Sequence, residues 1–297
     1  MKMVTEIKKK EENINKSPFH GLWTLTNREL KKCYKAPVIL LLSIIQPIFW
    51  IALFGKAMNL QAFFSGTALS IPGLNIPKDV IDQIGQEILR QTFGTTDYFS
   101  YLAAGMLSFI VLFTSMQSGM SMVWDRRLGV LDRLLTTPVS RSNIIISKLL
   151  SSVIRSLVQA TIVLIVAVLL GMSFYPGINI FDFLGAYAAL FLMSFGLSSL
   201  FLTIAIRASS WQSQMAVMNL LNLPLLFTSN AFYPINSMPS WLKPIAEINP
   251  LTYSNAVIRG MLLGVQTNLI IDFTYLIIFA IVLSTVGIIL SWKYISS

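Results

Sequence analysis

Arg126, Arg127 and Arg133 alternate with Leu128, Leu131, Leu134 and Leu135 in a short basic segment, WDRRLGVLDRLLTTPVSRSNIIISK (residues 124–148), that separates two long apolar runs. The chemistry these side chains offer is recognition rather than bond-making. At helical spacing the leucines form one row, and the arginines, with Asp132 among them, stand opposite. A short helix of that pattern, held between two membrane helices, can seat its leucines in a groove of a cytoplasmic partner while its guanidinium groups meet acidic groups there. The alternative is a positively charged inner loop whose leucines dip into lipid. Catalysis has little to work with. One cysteine, Cys33, and one histidine, His20, leave no intramolecular disulfide and no Cys- or His-based metal or catalytic constellation. The G-x-x-x-x-G-K-[ST] loop that cradles nucleotide phosphates is absent from the sequence.

A second informative segment is LPLLFTSNAFYPINSMPSWLKPIAEINPLTYSNAVIRGML, residues 223–263. Pro234, Pro239, Pro244 and Pro250 break it into short pieces, and Asn249 stands where it can cap a helix beginning at Pro250. The piece from Pro250 onward is too polar for a plain span, because of Arg259, and too apolar for a free loop. The pattern predicts a re-entrant helical hairpin at the outer surface over 234–264, packed on protein. A surface loop anchored by Trp241 and Tyr253 is the alternative. A third segment, 18–35, places Phe19, Leu22, Trp23, Leu30, Cys33 and Tyr34 on one helical face, with Ser17 and Pro18 as a helix start. It is expected to lie as an amphipathic helix in the inner membrane surface; a soluble tail packed on the inner loops is the other reading.

The elements that must hold these pieces are set by composition. The chain is 55% hydrophobic and only 12% charged, too apolar for a soluble fold of this length. Six runs, near 38–58, 99–123, 150–172, 182–206, 214–233 and 270–292, approach the roughly 20 apolar residues that cross about 30 Å of hydrocarbon. They are continuously apolar, which predicts helices and not barrel strands. The fold class expected is therefore all-α integral membrane: a cytoplasmic tail (1–36), then a six-span domain (37–297) with an outer loop at 59–98, including a short amphipathic helix after IPGLNIP. The inner loop at 124–148 turns at Gly129 and stops at Thr136-Thr137-Pro138, with Ser140 capping the helix that leads into the third span. Sixteen of the 22 Lys and Arg residues fall on the side of the N-terminus and five on the other, so both termini are expected in the cytoplasm. The tail lacks an apolar signal-peptide core, so the first span is expected to act as the targeting signal. The net charge of +9 is explained by that inner edge and does not require nucleic acid.

Polar groups within the runs are few. Gln46, Gln117, Gln159, Asn219 and Asn222 are the strongly polar ones, with Gln117, Asn219 and Asn222 the candidates to line a path, although a helix–helix hydrogen bond, worth about 0.6 kcal/mol, is the more ordinary role. Arg155, close to the inner boundary, can snorkel. A secondary transporter or channel would place ionisable groups deep in its spans, and an intramembrane enzyme would need paired carboxylates or metal ligands there; neither pattern is present.

Both segments resemble one family. WDRRLGVLDRLLTTP is similar to the E-R-R-x-G-T-L-E-R-L-L-x-T-P loop of type-2 ATP-binding-cassette exporter permeases. FTSNAFYPINSMPSWLKPIAEINPLTY is similar to their F-x-S-x-x-F-P-x-x-x-M-P-x-W-L-x-x-x-x-x-N-P-L-T-Y element. The daunorubicin-resistance, nodulation-factor and polysaccharide export permeases are of this class. The chain departs from the pattern in Asp125 and Asp132 for Glu, Val130 for Thr, an extra Tyr233, and a long first outer loop. The resemblance implies a non-catalytic permease that dimerises, most simply as a homodimer, within lipid and is driven by a separate ATPase subunit that holds the ATP and Mg²⁺; no cofactor is expected in this chain. It implies that Arg126, Arg127, Leu128, Leu131, Asp132, Arg133, Leu134 and Leu135 couple to that ATPase. Phe19, Leu22, Trp23, Leu30 and Tyr34 belong to the connecting helix. Phe232, Tyr233, Pro234, Met238, Pro239, Trp241, Leu242, Asn249, Pro250 and Tyr253 belong to an outer gate. The loop that marks importers is missing, so export of an amphipathic, lipid-like, drug-like or polysaccharide cargo is the expected direction.

Overall fold

The computed structural model describes residues 21–35, 37–57, 78–137, 139–207 and 210–296. Phe19, the helix start at Ser17 and Pro18, the IPGLNIP break and Pro138 lie outside the described residues. Among those described there is no strand. The helices are α1 (Leu22–Tyr34), α2 (Pro37–Trp50), α3 (Lys78–Phe93), α4 (Tyr98–Arg127), α5 (Val130–Leu135), α6 (Arg141–Leu169), α7 (Ile180–Arg207), α8 (Trp211–Phe227), α9 (Lys243–Ile248), α10 (Pro250–Leu263) and α11 (Leu269–Ser296). The chain is thus an all-α integral membrane protein. Four stretches are long and apolar enough to cross a bilayer by length and composition: Gln83–Arg127, which contains α4, then α6, α7, and Leu269–Leu290 of α11.

The other two expected spans are shorter. In α2, Pro47 interrupts the hydrogen-bond ladder, and the helix widens into a π-helical segment, Ile51–Ala57. The run expected over 214–233 is helical only as far as Phe227. Beyond Phe227 the chain turns, and the Asn230 and Ala231 carbonyls there accept from the Arg259 guanidinium. In the other direction α6 begins well before its apolar run, at Arg141, where Ser140 accepts the Asn143 N–H at 3.3 Å.

α4 is the central element. Nearly all of its first four turns are buried, and α6, α7, α8 and α10 pack around it. Small residues and hydroxyl pairs allow the close approach: Ser152–Ser198 and Ser156–Ser194 between α6 and α7, both 2.8 Å, and Ser108–Ser254 between α4 and α10 at 2.9 Å. α11 lies at the edge, packed on α7 and α10, with Ile270, Ile277, Ile278 and Ile281 turned outward.

At the end of the bundle where α4 meets α5, the inner end in the topology expected from the charge bias, Gly129 has φ +63°, a left-handed geometry that lets the chain reverse from α4 into α5. This turn rotates the leucine row inward. Leu131 is buried with Leu25, Val123, Ile144 and Ile145, and Leu134 and Leu135 pack against the same cluster. Only Leu128 stands out, 64% exposed. The expected outward row is therefore the inner face of α5, because a two-turn helix at a bundle end buries its apolar side on its own protein first. Exchanging each leucine for aspartate separates the two positions. Leu131→Asp should cost about 3 kcal/mol or more and lower the thermal midpoint in detergent, whereas Leu128→Asp should leave it nearly unchanged. Equal effects in a thermal-shift measurement would show the row faces the other way.

Candidate functional site

Lys148 and Asp125 meet at the inner end of the bundle, where α6 begins and α4 ends, with Nζ 2.6 Å from Oδ2. Both are almost wholly buried. An ammonium so placed needs every partner it can find. It also donates to Ser121 Oγ at 3.1 Å and lies 3.5 Å from Glu29 Oε2 of α1. Lys32 bridges the two acids from the other side, 2.7 Å from Asp125 Oδ1 and 2.8 Å from Glu29 Oε1. Arg28 stands 3.7 Å from Asp125 and 3.8 Å from Glu29. Burial by itself would raise the Glu29 carboxyl; Lys148 and Lys32 outweigh it and hold the group below its ordinary 4.5.

This cluster fixes the orientation of α1. Its buried side carries Leu25, Thr26 and Glu29, while Trp23 and Tyr34 of the predicted apolar face are exposed and Leu22 and Leu30 are half-buried. Polar groups face the protein and aromatic ones face outward, which suits a helix at a lipid interface. Gly21 approaches Val139 of the inner loop, so α1 sits against the turn beyond α5. On α5 and the turn before it the outward groups are Arg127, Leu128, Asp132 and Arg133. Arg126 points back instead, donating to the Ile206 carbonyl at the inner end of α7.

Beside the ionic cluster is a cavity of about 640 Å³ between α1, α4, α6 and α8. It brings Gln117, Asn219 and Asn222 together, and Met116, Met120, Met215 and Met218 supply its apolar walls. Arg155 and Lys148 also line it. Among the described residues no group of three or more His, Cys, Asp or Glu converges as a metal site requires.

At the opposite end of the bundle, the outer end in the expected topology, the organising group is Arg259 of α10, fully buried. Its Nε and Nη2 donate to the Tyr101 carbonyl (3.1 and 3.0 Å), Nη1 to that of Asn230 (2.7 Å) and Nη2 to that of Ala231 (2.7 Å). The guanidinium also lies 3.3 Å from the Tyr101 ring centroid. Gly105 is required here, since a Cβ would come within 2.8 Å of the Ala231 oxygen. Asn249 caps α10 through Leu251 N–H, as its position predicts, and donates to the Leu225 carbonyl at 2.7 Å. Of the other residues expected in an outer gate, Phe232 packs on Trp50, Phe54 and Phe227; Met238 and Leu242 form a small core with Ala246, flanked by Tyr233; and Pro250 is buried. Tyr253 stacks on Tyr275 of α11, while Pro239 and Trp241 are exposed and Pro234 is half-buried. Sequence reasoning missed Glu29, Asp125, Lys148 and Arg259 as organisers. A lone cation in an otherwise apolar helix, as Arg259 is, was the available signal.

Residues 20–263 match the model of a family described as ABC-2 type transporter. Over 239 residues the chain is 29% identical to the putative transport permease ycf38 of Cyanophora paradoxa, covering 80% of this chain and 72% of that one. It is 26% identical over 170 residues to the daunorubicin resistance ABC transporter permease protein DrrB1 of Streptomyces coeruleorubidus (57% and 59% of the two chains). Nodulation protein J of Sinorhizobium fredii is 24% identical over 220 residues (72% and 81%).

The inner ion cluster makes two outcomes measurable. Asp125→Asn strips Lys148 of its closest counter-charge and should cost about 3–5 kcal/mol, with Lys148→Met on the same chain recovering much of it; a double-mutant cycle by thermal unfolding checks the coupling. Because Glu29 is held below 4.5, its contribution is complete above that pH and is lost as the pH falls further. Protection of α1 from hydrogen exchange should therefore be flat from about pH 7 to 5 and decline only in more acid solution.

Proposed function

Because the chain belongs to the ABC-2 type transporter family, we propose that it is the exporter-type permease subunit that gives an amphipathic cargo its way through the membrane, worked by a separate ATPase. It is a membrane transport subunit without catalytic chemistry of its own. Six spans with both termini in the cytoplasm give the reading its topology, with α2 and α8 as the two short ones. The observation that carries it is the inner platform. α1, the end of α4 and the start of α6 are tied by one buried ion cluster, while Arg127, Leu128, Asp132 and Arg133 are left facing out beside it. A rigid block with an exposed charged rim and a single protruding leucine is what a moving partner can grip.

The cargo route in this reading runs from the Met-lined cavity toward the outer hairpin. α8 packs chiefly on α4 and leaves Asn219, Leu220, Leu223 and Phe227 uncovered. An exposed amide at that depth favours a second copy of the chain across α8, and a path between the two. The protein's relatives include a daunorubicin resistance permease and a nodulation protein, which agrees with lipid-soluble or amphiphilic cargo.

The test uses the full chain with its ATPase. Leu128→Asp with Arg133→Glu should lower co-purification of the ATPase at least about ten-fold, the effect of losing roughly 1.4 kcal/mol of binding, and abolish cargo-stimulated hydrolysis. The permease's own melting temperature should be unchanged. Undiminished co-purification and transport would remove the coupling role from this rim.

A further inference from the structure

We propose that Arg155 makes the inner cavity selective for amphiphiles carrying a single anionic headgroup, a phosphate or carboxylate; the inference rests on reading that cavity as part of the cargo route. Lys148, Ser151 and Arg155 succeed one another along the same face of α6, and all three line the cavity. Seven residues of helix rise place Arg155 about 10 Å deeper than the ion cluster. The two acids on the cavity wall, Glu29 and Asp125, are engaged by Lys148, Lys32 and Arg28. Arg155 has no carboxylate partner among the described residues. Its Nη2 donates to the Thr114 carbonyl at 3.2 Å, and its Nε is buried without an acceptor.

The ionisable groups on this wall are therefore Lys32, Lys148 and Arg155 against Glu29 and Asp125, one positive charge in excess. A guanidinium on the cavity wall with no carboxylate partner among the described residues carries an unneutralised charge, and the donors it does not give to Thr114 suit a phosphate or carboxylate oxygen. Phe113 and the four methionines then offer an adaptable apolar bed for a chain or ring system. Asn222 also lines the cavity and adds an amide there for a polar group on the ligand. The volume suits one ligand of moderate size.

The experiment compares three amphiphiles with the same dodecyl-length chain, dodecyl phosphate, monododecanoylglycerol and dodecyltrimethylammonium, binding to the full chain in phosphatidylcholine nanodiscs. The phosphate should bind at least about ten-fold tighter than the other two, as charge-assisted hydrogen bonds to one guanidinium allow. Arg155→Gln should erase that advantage without changing the neutral ligand's affinity, and Arg155→Lys should restore part of it, which separates charge recognition from misfolding. Millimolar inorganic phosphate should fail to displace dodecyl phosphate; full displacement would make this a site for free anions and overturn the proposal. Equal binding of all three, or an unaffected Arg155→Gln, overturns the anion preference alone. No binding of any of them to the wild type would instead remove the cavity from the cargo route.

Discussion

A lysine ammonium can be carried into the end of a helical bundle only if its counter-charges go with it. Lys148 imposes that condition here, and much of the inner architecture is its consequence. Asp125 must be drawn in from the end of α4, and Glu29 must be supplied by a helix outside the bundle. α1 is thereby turned polar side inward, with Trp23 and Tyr34 left exposed. Because removing one member of a buried ion set strands the others, the three helices are held as a single block. The short α5 rides on that block through Leu131, and its charged side faces the cytoplasm in the proposed topology.

The outer end solves a different problem by related means. Arg259 has no acid beside it; it directs its donors to the Tyr101, Asn230 and Ala231 carbonyls and lays its face on the Tyr101 ring. Two of the carbonyls it satisfies belong to the turn that follows α8, so the buried cation is paired by backbone that no helix claims. Among the described residues the pairing of buried polar groups is incomplete near both ends, at Asn230, Asn255 and Trp211, as well as between them. Ser115, Ser118, Gln214 and Asn222 bury polar atoms that have no partner among the described residues, and Ser118 and Asn222 belong to the cavity wall. A region whose polar groups wait for partners is where water or cargo fits, and where helices can shift most easily.

Much of this was legible in the residues. Continuous apolar runs located the long helices, Ser140 and Asn249 marked helix starts that their side chains do cap, and Gly129 marked the reversal before α5. Gln117, Asn219 and Asn222 were singled out for polarity alone and share one cavity. What stayed hidden depended on distance in the sequence. Helical spacing gives the leucine row of α5 but not which way it turns, since that depends on Leu25 and Ile144 from other helices. Apolarity extends the fifth run to residue 233, whereas the helix ends at Phe227 and the carbonyls just beyond it accept from Arg259, far along the chain. Glu29 and Lys148 look like ordinary surface charges until the fold brings them to 3.5 Å.

If the buried ion cluster fastens the inner end as its geometry requires, α1, α5 and the start of α6 move as one lever against α8. Spin labels at Asn27, Thr136 and Gln212, on a Cys33→Ser chain assembled with its ATPase, measure this by electron–electron distance spectroscopy. The Asn27–Thr136 distance should not change between nucleotide-free and ATP-trapped states, while that from Thr136 to Gln212 should change clearly. A shift between Asn27 and Thr136 with the distance to Gln212 fixed would refute the lever.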